Sequence, residues 1–290
     1  MESAVLVREA EPRRRWFALI QFLGFVALIA LLAVLTGFGA STAVHFFYGK
    51  KLDPAIAALV GTPILAIAAL VATFVMARLT RQPFLRFGLG GRHGLRNLLL
   101  GIASGIALLA ILLQAMQAMG GLSFGPVAED GAALLRWGSI YGTLFVVVAL
   151  SEELIFRGFA LVSLSRAVSF WPAAVILSLL FGGLHLGNGG EDIAGALAAA
   201  LFGLVMAITF KWTGSLWLAI GVHAGWDYAE SFIFGVPDSG QTLAGRAMHP
   251  SFHGPLWLTG GSVGPEGSAL VVFPLLTIVV IGWLLRERGA

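Results

Sequence analysis

The sequence predicts an all-α polytopic membrane protein, a bundle of about eight transmembrane helices in a single domain spanning residues 1–290. Three observations predict it. Of 290 residues, 58% are hydrophobic and only 11% are charged, far below the ~25% charged of soluble domains. Mean hydropathy is +0.90, more apolar surface than a soluble chain of this size could bury. The third observation is a series of apolar runs that carry few or no charges and are long enough, in the main, to cross a bilayer.

The runs are taken in chain order. Trp16–Ala40 is the first, uncharged throughout and preceded by Arg13–Arg15. It is too long for the apolar core of a signal peptide, and no clear small-residue cleavage site follows it, so it reads as a retained signal anchor. Ala55–Ala77 is the second, and the third lies within Leu98–Met119. The fourth begins near Gly138 and runs into Glu152. Trp171–Leu186, Ile193–Phe210, Ser215–Val236 and Ala269–Leu285 complete the set. Residues 235–268 hold four prolines and many glycines, which predicts an irregular extracytoplasmic loop.

Charge gives the orientation. With the amino terminus inside, fourteen Lys and Arg fall in cytoplasmic segments and four outside, so both termini are expected in the cytoplasm. The pI of 9.7 needs no nucleic-acid partner, because basic flanks accompany membrane spans anyway. With no cysteine, disulfides, thiolate nucleophiles and Cys metal sites are excluded. Fifteen arginines against three lysines, with 38 glycines, suggest a GC-rich bacterial genome and hence a bacterial cytoplasmic (inner) membrane.

Ionisable residues inside such spans are costly and mark function. Glu152 and Glu153 close the fourth run. On a helix they point ~100° apart. Glu153 stands four residues before Arg157, the favoured ion-pair order, and Glu152 faces Phe156 at the same spacing. Glu152 is therefore expected to be the free carboxylate. His185 ends the fifth run. A tight turn near Val168–Phe170, with Pro172 in the next first turn, puts Glu152 and His185 at similar depth if the two helices form a straight antiparallel hairpin. That depth agrees with His223 only if Arg157–Arg166 projects beyond the bilayer. In the seventh run, His223, Asp227 and Glu230 fall at i, i+4 and i+7, one helix face. Gly221 and Gly225 flank His223 in small-xxx-small spacing, suited to a close helix partner. Asp227 is placed to fix the imidazole of His223 or to join it as a ligand. Gln114 and Gln117 are expected in interhelical hydrogen bonds. Gly260–Gly264 fits G-x-S-x-G around Ser262 but lacks strand–turn–helix context, and His249 and His253 lie in the Pro/Gly-rich segment.

Glu-Glu-x-x-x-Arg at 152–157, Phe-x-x-x-His at 181–185 and His-x-x-x-Asp at 223–227 resemble the three motifs of the CPBP (Abi) intramembrane proteases. These include the type II CAAX prenyl endopeptidases. The resemblance spans residues 139–236, the motif-bearing core. Asp227 stands where eukaryotic CAAX enzymes usually have Asn. The resemblance implies a polar cavity within the membrane and a hydrolase, a protease acting on a peptide or protein substrate that reaches the site from membrane or cytoplasm. It implies Glu152 as general base on water, with His185 and His223 holding that water or stabilising the oxyanion, and Glu153, Arg157, Phe181 and Glu230 in support. It allows two mechanisms: a metalloprotease, with zinc held by His185, His223 and Glu152, or a glutamate protease with no metal. From the residues alone, a proton-coupled carrier or a non-catalytic membrane scaffold would use the same Glu, His and Asp.

Overall fold

The computed structural model describes residues 12–48, 54–91, 93–127 and 130–288. Of the charges that set the expected orientation, Arg8, Lys50, Lys51 and Arg92 lie outside the described residues, as does the segment before Pro12.

The protein is a helical membrane protein, and each of the eight predicted runs is a helix. These are α1 (Pro12–Tyr48), α2 (Pro54–Leu79), α3 (Gly94–Ala118), α4 (Gly131–Glu153), α6 (Phe170–His185), α7 (Ile193–Thr213), α8 (Trp217–Tyr228) and α10 (Val272–Arg288). Two short helices supplement them, α5 (Ala160–Val168) and α9 (Leu256–Thr259). Among the described residues, Arg14–Gly37, Gly61–Leu79, Gly94–Ala118 and Ile193–Thr213 are long and apolar enough to cross a membrane, and Phe170–His185 and Ala269–Leu285 are shorter apolar helices. Asp130 caps α4 by accepting from the Ala133 amide at 2.8 Å. Asp192 caps α7 in the same way from Gly195 at 3.0 Å. Each replaces a backbone partner that the first turn lacks.

Contacts between connecting segments sort them to two ends of the bundle. At one end, β1 (Leu122–Ser123) pairs antiparallel with β2 (Ser251–Phe252), and Asn188 donates to the Ser239 carbonyl at 3.3 Å. At the other end the Leu216 amide donates to Gly88 at 2.8 Å, and the Trp217 indole donates to Leu89 at 3.1 Å. Helices α3, α7 and α8 therefore run between the same two ends of the bundle. The 235–268 segment folds over the first end with β2, α9 and a short 3₁₀ turn.

Two regular-helix expectations are corrected. The stretch after Glu153 is not a straight continuation: Leu154–Phe159 is a π-helical turn, broken at Gly158 (φ −77°, ψ −117°), and α6 packs on α5 rather than running alongside α4. The tight turn does fall at Ser169, with φ 72°. Nor does Arg157 stand out from the bundle; it is 1% exposed, inside the core. Gln114 and Gln117 are exposed, facing away from the other helices.

Gly221 and Gly225 behave as their spacing predicts. Their partner is α3, the helix with which α8 packs most extensively. A Cβ at Gly225 would run into the backbone of Ile102, and one at Gly221 into the backbone of Leu98 and Gly101. Backbones in this contact approach closely only because neither side carries a side chain there.

Candidate active site

A cavity of about 440 Å³ opens among the helices, within the usual size of ligand sites. Glu152 from α4, His185 from α6, and His223 and Asp227 from α8 line it. Ile29, Leu65, Phe145, Val148 and Phe202 form an apolar wall. The four residues expected to act together therefore share one chamber.

Their geometry centres on His223, which is buried. Its Nδ1 lies 3.0 Å from Glu153 Oε1. A carboxylate oxygen accepts, so Nδ1 carries hydrogen and Nε2 is turned toward the other two acids. Glu152 Oε2 is 3.7 Å from Nε2, and Asp227 Oδ2 is 3.5 Å from it. Glu152 is the more open of the two glutamates, its side chain 27% exposed against 0% for Glu153.

The two glutamates point to different partners, and Glu153 has one beyond the Arg157 that its spacing predicts. Glu153 Oε1 accepts from Arg157 Nη1 at 3.2 Å and also binds His223. It is Glu153, and not Asp227, that fixes the imidazole tautomer. Asp227 faces the opposite nitrogen.

Phe181 joins these parts. Its ring centroid lies 4.5 Å from that of His185 and 6.2 Å, edge-on, from that of His223. The Arg157 guanidinium sits 4.3 Å over the same ring, a cation–π contact that partly offsets its burial. Arg157 Nη2 has no hydrogen-bond partner. The space it occupies exists because residue 203 on α7 is glycine; a Cβ there would collide with the guanidinium. His185 Nδ1 lies 2.8 Å from the Phe181 carbonyl, so that nitrogen donates and Nε2 is the free one.

Glu230 does not share the chamber. After Tyr228 the helix widens into a π turn, Ala229–Phe234, which carries Glu230 off the face of His223 and Asp227. It is fully buried and lies instead with Asp238 and Glu266 of the covering segment. Neither acid was singled out from sequence, because nothing in the spacing of an irregular segment marks them. Ser262 is exposed in a turn, without the strand–turn–helix setting of a serine nucleophile. His249 Nδ1 accepts from Arg246 Nε at 2.9 Å outside any helix.

Comparison with known families bears on this chamber. Residues 134–229 match the family model for the type II CAAX prenyl endopeptidase Rce1-like proteins. The match covers about a third of the chain and takes in all three motifs. No curated protein and no solved structure matches the chain. The matched segment is thus similar to CAAX-protease-type endopeptidase domains, within a chain whose apolar helices make it a multi-pass membrane protein.

The resemblance allows a zinc ion, and the residues can be tested against one. Tetrahedral zinc at ~2.0–2.1 Å from each ligand holds its ligand atoms roughly 3.3–3.5 Å apart. The pairs Glu152–His223 and His223–Asp227 approach that spacing. Yet among the described residues no set of three including His185 or His223 brings its ligand atoms within 4.8 Å of one another; only Glu230, Asp238 and Glu266 do so. Both imidazoles keep Nε2 for the chamber, with Nδ1 bonded to Glu153 and to a carbonyl in the manner usual behind a metal ligand, but the wide spacing of the ligand atoms does not fit zinc as placed.

Proposed function

We propose that this protein is an intramembrane endopeptidase that hydrolyses peptide bonds with water activated by Glu152. The observation that carries the reading is the position of Glu152. It is the partly open carboxylate of the chamber, 3.7 Å from a buried imidazole nitrogen, in a cavity shared with a second imidazole.

Amide hydrolysis needs a base for water, positive charge or a donor at the oxyanion, and a proton for the departing amine. Glu152 takes the proton from water and returns it to the leaving nitrogen. His223 keeps its Nδ1 hydrogen on Glu153, which leaves Nε2 to serve the cavity. In its doubly protonated form, Nε2 donates to the oxyanion. His185 presents Nε2 and positions the water. Asp227 holds His223 from the cavity side. Glu153, pinned by Arg157, acts through His223 as a positioning residue. No covalent acyl-enzyme is involved.

The apolar wall favours a substrate with an apolar stretch, a peptide or protein entering from the membrane or the cytoplasm. The charge asymmetry of the connecting segments favours a bacterial cytoplasmic membrane with both termini inside.

The test is cleavage of fluorogenic peptides, with apolar residues about the scissile bond, by the purified protein. Glu152→Gln should lose turnover by at least a hundredfold and keep its melting temperature. A variant that cleaves at the wild-type rate sinks the mechanism.

A further inference from the structure

Beside the catalytic chamber lies a second group of acids with a different composition. Glu230, Asp238 and Glu266 each place a carboxylate oxygen within 4.8 Å of the others. Glu230 comes from the end of α8; Asp238 and Glu266 come from the segment that covers it. Acids gathered in this way are not in themselves a site. The deciding feature is Glu230, which is 0% exposed and has neither carboxylate oxygen hydrogen-bonded. The buried indole nitrogen of Trp226 lies nearby but does not reach hydrogen-bond geometry. A fully buried carboxylate without a partner is strongly disfavoured. Here it is aimed at two more acids.

Asp238 and Glu266 are each held from one side only. Ser231 Oγ donates to Asp238 Oδ2 at 2.9 Å. The amide and hydroxyl of Ser239 donate to Glu266 Oε2 at 3.0 and 2.7 Å. These bonds fix the orientation of both carboxylates and leave their second oxygens uncommitted. No Lys, Arg or His among the described residues forms an ion pair with any of the three. Their mutual repulsion is relieved by protonation or by a cation from outside the chain, and the convergence of three acceptor groups suits a cation.

We infer that Glu230, Asp238 and Glu266 form a site for a hard divalent cation of the calcium type, which ties the 235–268 segment to the end of α8. Calcium binds oxygen at 2.3–2.6 Å, takes mono- or bidentate carboxylates, and fills its remaining positions with water. Three oxygens within 4.8 Å of one another lie no more than ~2.8 Å from a common centre, a few tenths of an ångström from that bond length, so a small closure lets one ion touch all three acids. An all-oxygen donor set selects calcium or magnesium over zinc. Asp238 and Glu266 also line the chamber, which gives the ion a wet approach and a source of water ligands. The site shares no residue with the Glu152–His223 group, and its readout is binding and melting rather than hydrolysis.

The test uses the full-length protein in detergent, stripped with chelator, dialysed, and titrated with calcium chloride by calorimetry and thermal unfolding. One ion per chain should bind, and the melting temperature should climb with the logarithm of calcium concentration once the site is saturated. Asp238→Asn and Glu266→Gln should each weaken binding at least tenfold. Glu230→Gln should abolish the calcium response while melting above the stripped wild type, because one repelling charge is gone. Magnesium chloride should bind more weakly than calcium. Absence of binding at millimolar calcium overturns the site. So does binding that survives in Asp238→Asn and Glu266→Gln, or a Glu230→Gln protein whose melting temperature still climbs with calcium. Tighter binding of magnesium overturns the calcium assignment.

Discussion

Replacing Glu153 with glutamine tests the central arrangement most sharply, because it separates positioning from chemistry. Glu153 Oε1 faces two donors, Arg157 at 3.2 Å and His223 at 3.0 Å. At 3.2 Å and an effective dielectric of ~20, the Arg157 pair is worth on the order of 5 kcal/mol of Coulomb energy. Removing one partner of a buried pair typically costs about 3–5 kcal/mol, since the remaining charge stays buried. Arg157 is 1% exposed, and its Nη2 already lacks a partner, so relief by solvent is small. A loss near 4 kcal/mol is a large share of the ~5–15 kcal/mol that holds a typical domain. Thermal unfolding in detergent should show Glu153→Gln melting well below wild type. The double variant Glu153→Gln/Arg157→Met, which removes both charges, should recover much of the loss. It should not recover cleavage, because an amide oxygen then faces Nδ1 of His223 without the negative charge that supports the doubly protonated ring. A Glu153→Gln protein with wild-type stability, or a double variant no better than the single, would refute the buried triad.

Other outcomes follow from the same geometry. His185→Ala and His223→Ala should each cost several kcal/mol of transition-state stabilisation, and the double variant should cost less than their sum, read from kcat/KM. Asp227→Asn should reduce kcat/KM less than either, because Glu153 still holds His223; a loss as deep as that of Glu152→Gln would assign Asp227 a direct step. Gly225→Val should destabilise by ~3 kcal/mol or more, seen as a lower melting temperature, since a side chain meets the backbone of Ile102. Reporter fusions after Arg288 and within residues 235–268 should lie on opposite sides of the membrane; the same side for both would break the eight-crossing threading.

Sequence made the helices legible because a bilayer demands long apolar runs, and those runs survive any detail of packing. The motif residues Glu152, His185 and His223 were legible for the same reason, as polar groups where polarity is expensive. Glu153's bond to His223 was not, because its partner lies 70 positions away and adjacent glutamates were assumed to diverge. The two π turns were hidden as well. A single widened turn arises from tertiary contacts rather than propensity; the first turns the chain after Glu153 so that α6 packs on α5, and the second carries Glu230 away from Asp227. Asp238 and Glu266 had no periodic frame at all. What could have drawn attention to them is their place beside Ser239 and Gly267 in a segment folding back over apolar helices.

Gly203 is, in effect, a remote setting on the imidazole. Its missing side chain admits the Arg157 guanidinium, whose pull keeps Glu153 turned toward His223. Gly203→Ala changes no acid, no histidine and no cavity wall. By crowding the guanidinium it would loosen the Nδ1 hydrogen bond and let the His223 ring exchange tautomers. The ring's NMR nitrogen shifts would then report a mixture where the wild type gives a single form. The setting of the His223 ring within the chamber would thus depend on α7, through a residue that does not line it.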